Sequence, residues 1–283
     1  MGMDAKTPLL DWRRTEVLGR SAGYGVGGDG PPIVFLHGWG LSGRTYRSAL
    51  KRLLAQGFQV WAPALPGFDG STALESGADA LGQYAAWVEA FCVAVGIDGP
   101  VVLMGHSFGG AVAIQTAHDW PTRVRGLVLI NSIGGSAWER DGNLMKTIAQ
   151  RPLWDWGLHF PKDVLPVRQM RRVLPVILEA VVPNVMRDPR GFWHAAAIAR
   201  FADLTAELQE LKARRLPVVL LWGERDELVT RASFEAMREH LGNPLSITVP
   251  GSHSWMLADP DGFGEIITNV IAAIPEADRV DAA

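Results

Sequence analysis

The segment with the clearest potential for chemistry is GHSFGG at residues 105–110, in which Ser107 stands between Gly105 and Gly109. An apolar run precedes the serine and a run of small residues follows it. This pattern predicts a strand that turns sharply into a helix at Ser107, with the hydroxyl exposed at the turn. A side chain at either glycine would clash with the closely approaching backbone. Ser107 is therefore a candidate nucleophile, although an ordinary tight turn fits the same pattern.

A serine hydroxyl is a weak nucleophile without a base, so the histidines are the next candidates. The chain has seven, and His253 in VPGSHSWML follows the last predicted strand. Loops at the carboxyl ends of parallel strands are where such sheets keep their chemistry. We predict His253 as the base, the alternative being a histidine in a surface loop. His106 adjoins the serine, but the turn is expected to aim its side chain elsewhere, and His37 is expected to shape its own loop.

The base needs an acid that orients it and stabilises its cation. The segment LLWGERDELV follows the penultimate predicted strand and contains three carboxylates. We predict Asp226 as the acid, with Glu224 and Glu227 as the alternatives. A solvated acidic loop without a catalytic role is the remaining interpretation.

The elements that must position these residues form an alternating pattern. Six short apolar segments predict strands, namely PPIVFLHG, FQVWAPALPG, GPVVLMG, VRGLVLIN, LPVVLLWG and LSITVPG. Their apolar character is continuous rather than alternating, which is typical of strands covered on both faces. Helical patterns lie between them. The sequence therefore predicts an α/β fold with a mostly parallel central sheet and helices on both faces.

The alternation is interrupted once, between residues 132 and 215. This region has no good strand pattern, and it reads as helices that prolines end or kink. We predict that residues 132–215 form an all-helical cap inserted late in the chain. The core would then consist of residues 1–131 and 216–283.

Composition excludes several classes of protein. The formal net charge is −3, which gives no general attraction to nucleic acid. No apolar run reaches the ~18 residues that cross a bilayer, so no stable membrane insertion is expected. Cys92 is the single cysteine, and no pattern suggests a metal site or an organic cofactor. The amino-terminal segment resembles no secretory leader, which predicts a cytoplasmic location.

The chain order Ser107, Asp226, His253 resembles the nucleophile, acid and histidine order of the α/β-hydrolase family. HGWG at residues 37–40 is similar to that family's oxyanion loop, and LPGFDGS at 65–71 to its turn after the next strand. The resemblance implies an oxyanion hole formed by the backbone N–H groups of Trp39 and Phe108. Ala64 and Asp69 depart from the usual residues of that turn, at positions without chemistry in the family.

The resemblance implies a serine hydrolase that cleaves a carboxylic ester, or a related acyl bond, of a small and largely apolar molecule. A carbon–carbon bond hydrolase of aromatic ring-fission products is an alternative. Such enzymes typically have Asn before the serine and Trp directly after the histidine, where this chain has His106 and Ser254, with Trp255 one residue later. A slow-turnover small-molecule receptor of the same fold is the other alternative.

Overall fold

The computed structural model describes residues 9–75, 79–135 and 167–274. The strands are β1 (Asp11–Val17), β2 (Arg20–Gly27), β3 (Pro32–Leu36), β4 (Gln59–Pro63), β5 (Val101–His106), β6 (Val124–Ile130), β7 (Val218–Gly223) and β8 (Leu245–Val249). The helices are α1 (Arg47–Ala55), α2 (Ala80–Ala94), α3 (Phe108–Asp119), α4 (Val167–Arg187), α5 (Pro189–Phe201), α6 (Thr205–Ala213), α7 (Arg231–His240), α8 (Trp255–Ala258) and α9 (Pro260–Ala272).

The eight strands form one sheet in the order β1-β2-β4-β3-β5-β6-β7-β8. Strands β3 to β8 are mutually parallel, while β2 pairs antiparallel with both β1 and β4. The six predicted strands correspond to β3–β8, so the predicted fold class is confirmed. All the parallel strands end at one edge, and the loops after β3, β5, β7 and β8 therefore meet there.

The hairpin of β1 and β2 was not among the predicted strands. Val17 pairs with Arg20, so the turn is the dipeptide Leu18–Gly19, and both residues have positive φ, 51° and 71°. Tight hairpin turns of this kind favour Asn or Gly at the first position. Leucine there removes the usual signal, which explains the omission.

The two faces of the sheet carry separate apolar cores, because successive side chains of a strand point to opposite faces. In β3, Val34 and Leu36 belong to the core beneath α2 and α3, whereas Ile33 and Phe35 belong to the core beneath α1 and α9. All four side chains are fully buried. A short strand buried on both sides must be apolar throughout, as the sequence of β3 is.

Between β6 and β7 the described residues form the helices α4, α5 and α6. This agrees with the predicted helical character of the insertion. Residues 136–166, and with them the first part of the predicted cap, lie outside the described residues. The boundaries of the cap stay a prediction.

Candidate active site

Ser107 occupies the turn between β5 and α3, as the sequence predicted, with φ 55° and ψ −117°. This backbone conformation is sparsely populated for a residue with a side chain, and it persists only where the surroundings enforce it. A Cβ on Gly105 would collide with the carbonyl oxygen of Gly109, and a Cβ on Gly109 would collide with the carbonyl oxygen of Leu36. The two glycines therefore allow the strained turn that presents the serine.

The two predicted oxyanion donors lie beside the same cavity as Ser107. Phe108 is the first residue of α3, where backbone N–H groups have no partner within the helix and favour negative charge. Trp39 follows β3 in the loop HGWG. Both line the cavity together with Ser107 and His253. If the serine attacks a carbonyl carbon, this arrangement can place two backbone N–H groups near the carbonyl oxygen, where the negative charge develops.

His253 and Asp226 form a buried pair on the loops after β8 and β7. His253 Nδ1 lies 2.8 Å from Asp226 Oδ2. Asp226 Oδ1 accepts hydrogen bonds from the backbone N–H groups of Leu228 and Val229, both at 2.8 Å. A carboxylate only accepts hydrogen bonds, so Nδ1 of His253 carries the proton in this bond.

The structure separates the three candidate acids. Asp226 is buried and contacts His253, whereas Glu224 and Glu227 are exposed to solvent. A buried carboxylate paired with an imidazole can support its cation far better than a solvated one. The geometry therefore favours Asp226 over both alternatives.

Asn131 and Trp255 complete the environment of the acid, and sequence reasoning missed this role for both. Asn131 Nδ2 donates to Asp226 Oδ2, and the indole N–H of Trp255 donates to Asn131 Oδ1 at 2.8 Å. Asn131 is buried and has φ 44°, a left-handed conformation that Asn tolerates better than most residues. The available signal in the sequence was an Asn directly after β6. Because β6 pairs with β7, a side chain there lies close to the loop that carries Asp226.

His106 joins the oxyanion loop to His253 through buried hydrogen bonds. Its Nε2 lies 2.9 Å from the His253 carbonyl oxygen and its Nδ1 lies 2.8 Å from the Tyr46 hydroxyl. A carbonyl only accepts, so Nε2–H donates to it and Nδ1 accepts from Tyr46. The Tyr46 oxygen in turn accepts the N–H of Gly38 at 3.4 Å. Burial, reinforced by the nearby His253, lowers the pKa of His106 to about 3, so the ring is neutral.

His37 has the loop-shaping position expected from the sequence. Its Nε2 accepts the backbone N–H of Leu65 at 2.9 Å, so its Nδ1–H donates to the carbonyl oxygen of Gly38, also at 2.9 Å. Burial lowers the pKa of His37 to about 4. The neutral ring thus ties the oxyanion loop to the turn after β4.

The residues that line the cavity are mostly apolar, and several of them belong to the insertion. Ile177 and Val181 of α4 and Ala199 of α5 line it together with Leu41 from the loop after β3. The indole N–H of Trp39 donates to the carbonyl oxygen of Phe192 in α5 at 2.8 Å. The helices of the insertion therefore contact the oxyanion loop directly and form part of the cavity.

Two other features bear on the class of protein. Within 9–75, 79–135 and 167–274, no group of three or more His, Cys, Asp or Glu side chains is placed to hold a metal ion. In the same ranges no helix has both the length and the apolar character needed to cross a membrane.

Comparisons with known proteins agree with this architecture. The profile of the Alpha/beta hydrolase family matches residues 33–266. A pimeloyl-(acyl-carrier protein) methyl ester esterase of Yersinia enterocolitica is 27% identical over 257 residues, which cover 84% of this chain and 92% of that protein. A thermophilic esterase from Thermogutta terrifontis has a TM-score of 0.73 at 21% identity, covering 93% of this chain and 99% of the other. An esterase from Rhodococcus sp. ECU1013 has the same TM-score and coverage at 22% identity. These two structural likenesses concern the fold alone.

Proposed function

The chain belongs to the Alpha/beta hydrolase family, and from this premise we propose that it is a serine esterase acting on a small, largely apolar carboxylic ester. The observation that carries the proposal is the buried His253–Asp226 pair beside the strained Ser107, all on loops at one edge of the sheet. The esterase relative from Yersinia enterocolitica adds support for ester chemistry.

In the proposed reaction, His253 takes the proton from Ser107 as the serine oxygen attacks the carbonyl carbon. Asp226 holds the imidazole by its Nδ1–H and stabilises the imidazolium that forms. Collapse of the tetrahedral intermediate expels the alcohol, which receives the proton from His253, and leaves an acyl-enzyme. Water then attacks the acyl group with His253 again acting as base.

The proposed oxyanion hole consists of the backbone N–H groups of Trp39 and Phe108. The negative charge develops on the former carbonyl oxygen, and preorganised donors of this kind are often the largest single contribution to the rate. The contacts that His37 and Tyr46 make with Gly38 support this role, because they fix the backbone next to Trp39.

The substrate is proposed to bind by apolar contact with residues such as Leu41, Ile177 and Val181. We further propose that residues 132–215 act as a helical cap over a core of residues 1–131 and 216–283. We also propose a cytoplasmic location, with which a single cysteine, Cys92, that forms no disulfide is compatible.

The proposal is tested by labelling the purified protein with a fluorophosphonate and by measuring turnover of p-nitrophenyl butyrate. Ser107→Ala should abolish labelling and reduce kcat by about 10⁴- to 10⁶-fold. Ser246→Ala is the matched control, because Ser246 lies on β8, is not among the residues that line the cavity, and donates its hydroxyl to the nearby Pro244 carbonyl oxygen. Labelling of a folded Ser107→Ala protein would refute the nucleophile. Turnover of a ring-fission product without turnover of any ester would favour the carbon–carbon hydrolase, and labelling without turnover would favour the receptor.

A further inference from the structure

We propose that the protein has a second ligand site, away from Ser107, that binds a small dianion of the phosphate class. The site is a cleft of about 370 Å³ between β1, β2, the turn at residues 66–71 and the carboxyl end of α4. We call it the arginine cleft and define it by Arg14, Arg44, Asp69, Gly70 and Arg187, which all line it. None of these residues lines the cavity at Ser107.

Two guanidinium groups converge in the arginine cleft. A Cβ built on Gly70 would lie 3.4 Å from Nη1 of Arg14 and 3.6 Å from Nη1 of Arg187. The two nitrogens are therefore no further apart than 7.0 Å, the sum of these distances. Like charges this close repel each other unless an anion lies near them.

Within the described part of the chain, neither Arg14 nor Arg187 forms a salt bridge. Arg14 is held by neutral acceptors only, the hydroxyl of Ser21 at 2.9 Å and the carbonyl oxygen of Gly70 at 2.9 Å. Its orientation is thus fixed while its charge is not compensated. A fixed guanidinium loses little conformational entropy when it binds an anion.

The remaining charges of the cleft are already paired. Arg44 Nε contacts Asp69 Oδ2 at 3.2 Å, and its guanidinium lies 4.4 Å from the centroid of the Trp12 ring. Arg13, at the rim, contacts Asp11 at 2.8 Å. The charges left over are those of Arg14 and Arg187, so the cleft matches a ligand with about two negative charges, as a phosphate monoester has at neutral pH. Guanidinium groups suit such a ligand because they donate two parallel hydrogen bonds to its oxygens.

The position of the cleft predicts what a bound anion would do to the fold. Arg187 ends α4, whereas Arg14 lies on β1 and Gly70 lies in the loop after β4. One turn earlier on α4, the buried Asn184 accepts from the backbone N–H of Asp69 at 2.8 Å and donates to the carbonyl oxygen of Gly40 at 3.0 Å. An anion between the two arginines therefore adds a second link between α4 and the core, next to the link that Asn184 makes with the oxyanion loop.

Isothermal titration calorimetry of the intact protein tests the site. The ligands are inorganic phosphate and, separately, glycerol 3-phosphate. Chloride at the same ionic strength is the control anion. We expect saturable binding of at least one of the two ligands, and a loss of at least tenfold in affinity in Arg187→Gln. The affinity of Arg187→Lys should lie between those of the wild type and Arg187→Gln, because lysine keeps the charge and loses the paired donors. Arg190→Gln is the matched control, an exposed arginine three residues further along and outside the cleft. Its affinity should equal that of the wild type.

Flotation with vesicles containing phosphatidic acid, compared with phosphatidylcholine alone, decides whether the phosphate comes from a lipid or a soluble ester. Hydrogen exchange with saturating phosphate should show slower exchange in α4, which a non-specific ion atmosphere would not cause. None of these measurements depends on esterase activity, so they test the anion site independently of the proposed reaction. Absence of saturable binding in every arm, or equal binding by wild type and Arg187→Gln, would overturn the proposal.

Discussion

Removal of the Asn131 side chain tests how much the proposed acid depends on its buried support. The carboxylate of Asp226 accepts four hydrogen bonds, from His253, Asn131 and two backbone N–H groups. Asn131→Gly removes one of them and leaves the indole N–H of Trp255 without its acceptor. Glycine is the chosen replacement because φ at this residue is 44°, which a Cβ would strain.

The expected magnitude follows from the charge of the acceptor. A hydrogen bond to a charged group contributes about 1.5–3 kcal/mol. If Asp226 needs that bond to support the histidine cation, kcat/KM for p-nitrophenyl butyrate should fall by roughly 10- to 150-fold. KM should change little, since Asn131 is not among the residues that line the cavity.

Two further variants separate this effect from general damage. Asn243→Gly is the control, because Asn243 is also left-handed, with φ 59°, but exposed at the end of α7. It should keep wild-type kcat/KM. Trp255→Phe should lower kcat/KM less than Asn131→Gly, and the double variant should be no worse than Asn131→Gly alone, since both changes break one chain of bonds. If Asn131→Gly retains kcat/KM within about twofold of wild type, the reasoning is refuted.

Three other predictions concern pH, thiol reactivity and substrate. Partial burial disfavours a charge on His118, but its hydrogen bonds to Asp119 and Glu210 outweigh this and raise its pKa. The stabilisation is present below the ordinary histidine pKa, about 6.5, and is lost as pH rises through the raised value. The difference in Tm between wild type and His118→Gln should therefore shrink as the pH rises above about 6.5; a constant difference would contradict it. Burial raises the pKa of the Cys92 thiol to about 12, so a disulfide reagent at pH 8 should modify it in denaturant and not in the native protein. Along a series of p-nitrophenyl esters from acetate to hexanoate, each buried methylene should improve kcat/KM by up to ~0.8 kcal/mol, and a best rate on acetate would contradict the apolar cavity.

The sheet could be predicted from sequence because the physical signal is local. Strands β3, β5 and β7 are buried on both faces, so each reads as a continuous apolar run. Glycine and a change of pattern mark the loop after each of them. The first hairpin lacked such a signal, because Leu18 takes a conformation that leucine rarely adopts.

Some residues of the candidate site could likewise be predicted from local patterns, and others could not. Ser107, Asp226 and His253 each follow a recognisable strand, so their convergence could be predicted from the parallel topology. Asn131 and Tyr46 could not be assigned their contacts, because a neutral polar residue after a strand or before a helix has many possible partners. Tyr46 meets His106 across 60 residues and Asn131 meets Trp255 across 124. Such contacts depend on side-chain packing, which no local pattern encodes.

The two histidines beside the serine show why position along the chain is a poor guide to the base. His106 is the nearer in sequence, and its ring centroid lies 4.8 Å from that of His253. Both ring nitrogens of His106 are occupied by neutral groups, and burial keeps the ring uncharged. Among the residues that the structure describes, no carboxylate forms a hydrogen bond or salt bridge with His106 that could stabilise a proton accepted there. His253 instead directs Nδ1 at Asp226, so a proton gained at Nε2 creates a cation that the carboxylate stabilises. The partner of the second nitrogen therefore favours His253 over His106 as the proposed base, and the hydrogen bond from His106 holds the backbone of His253.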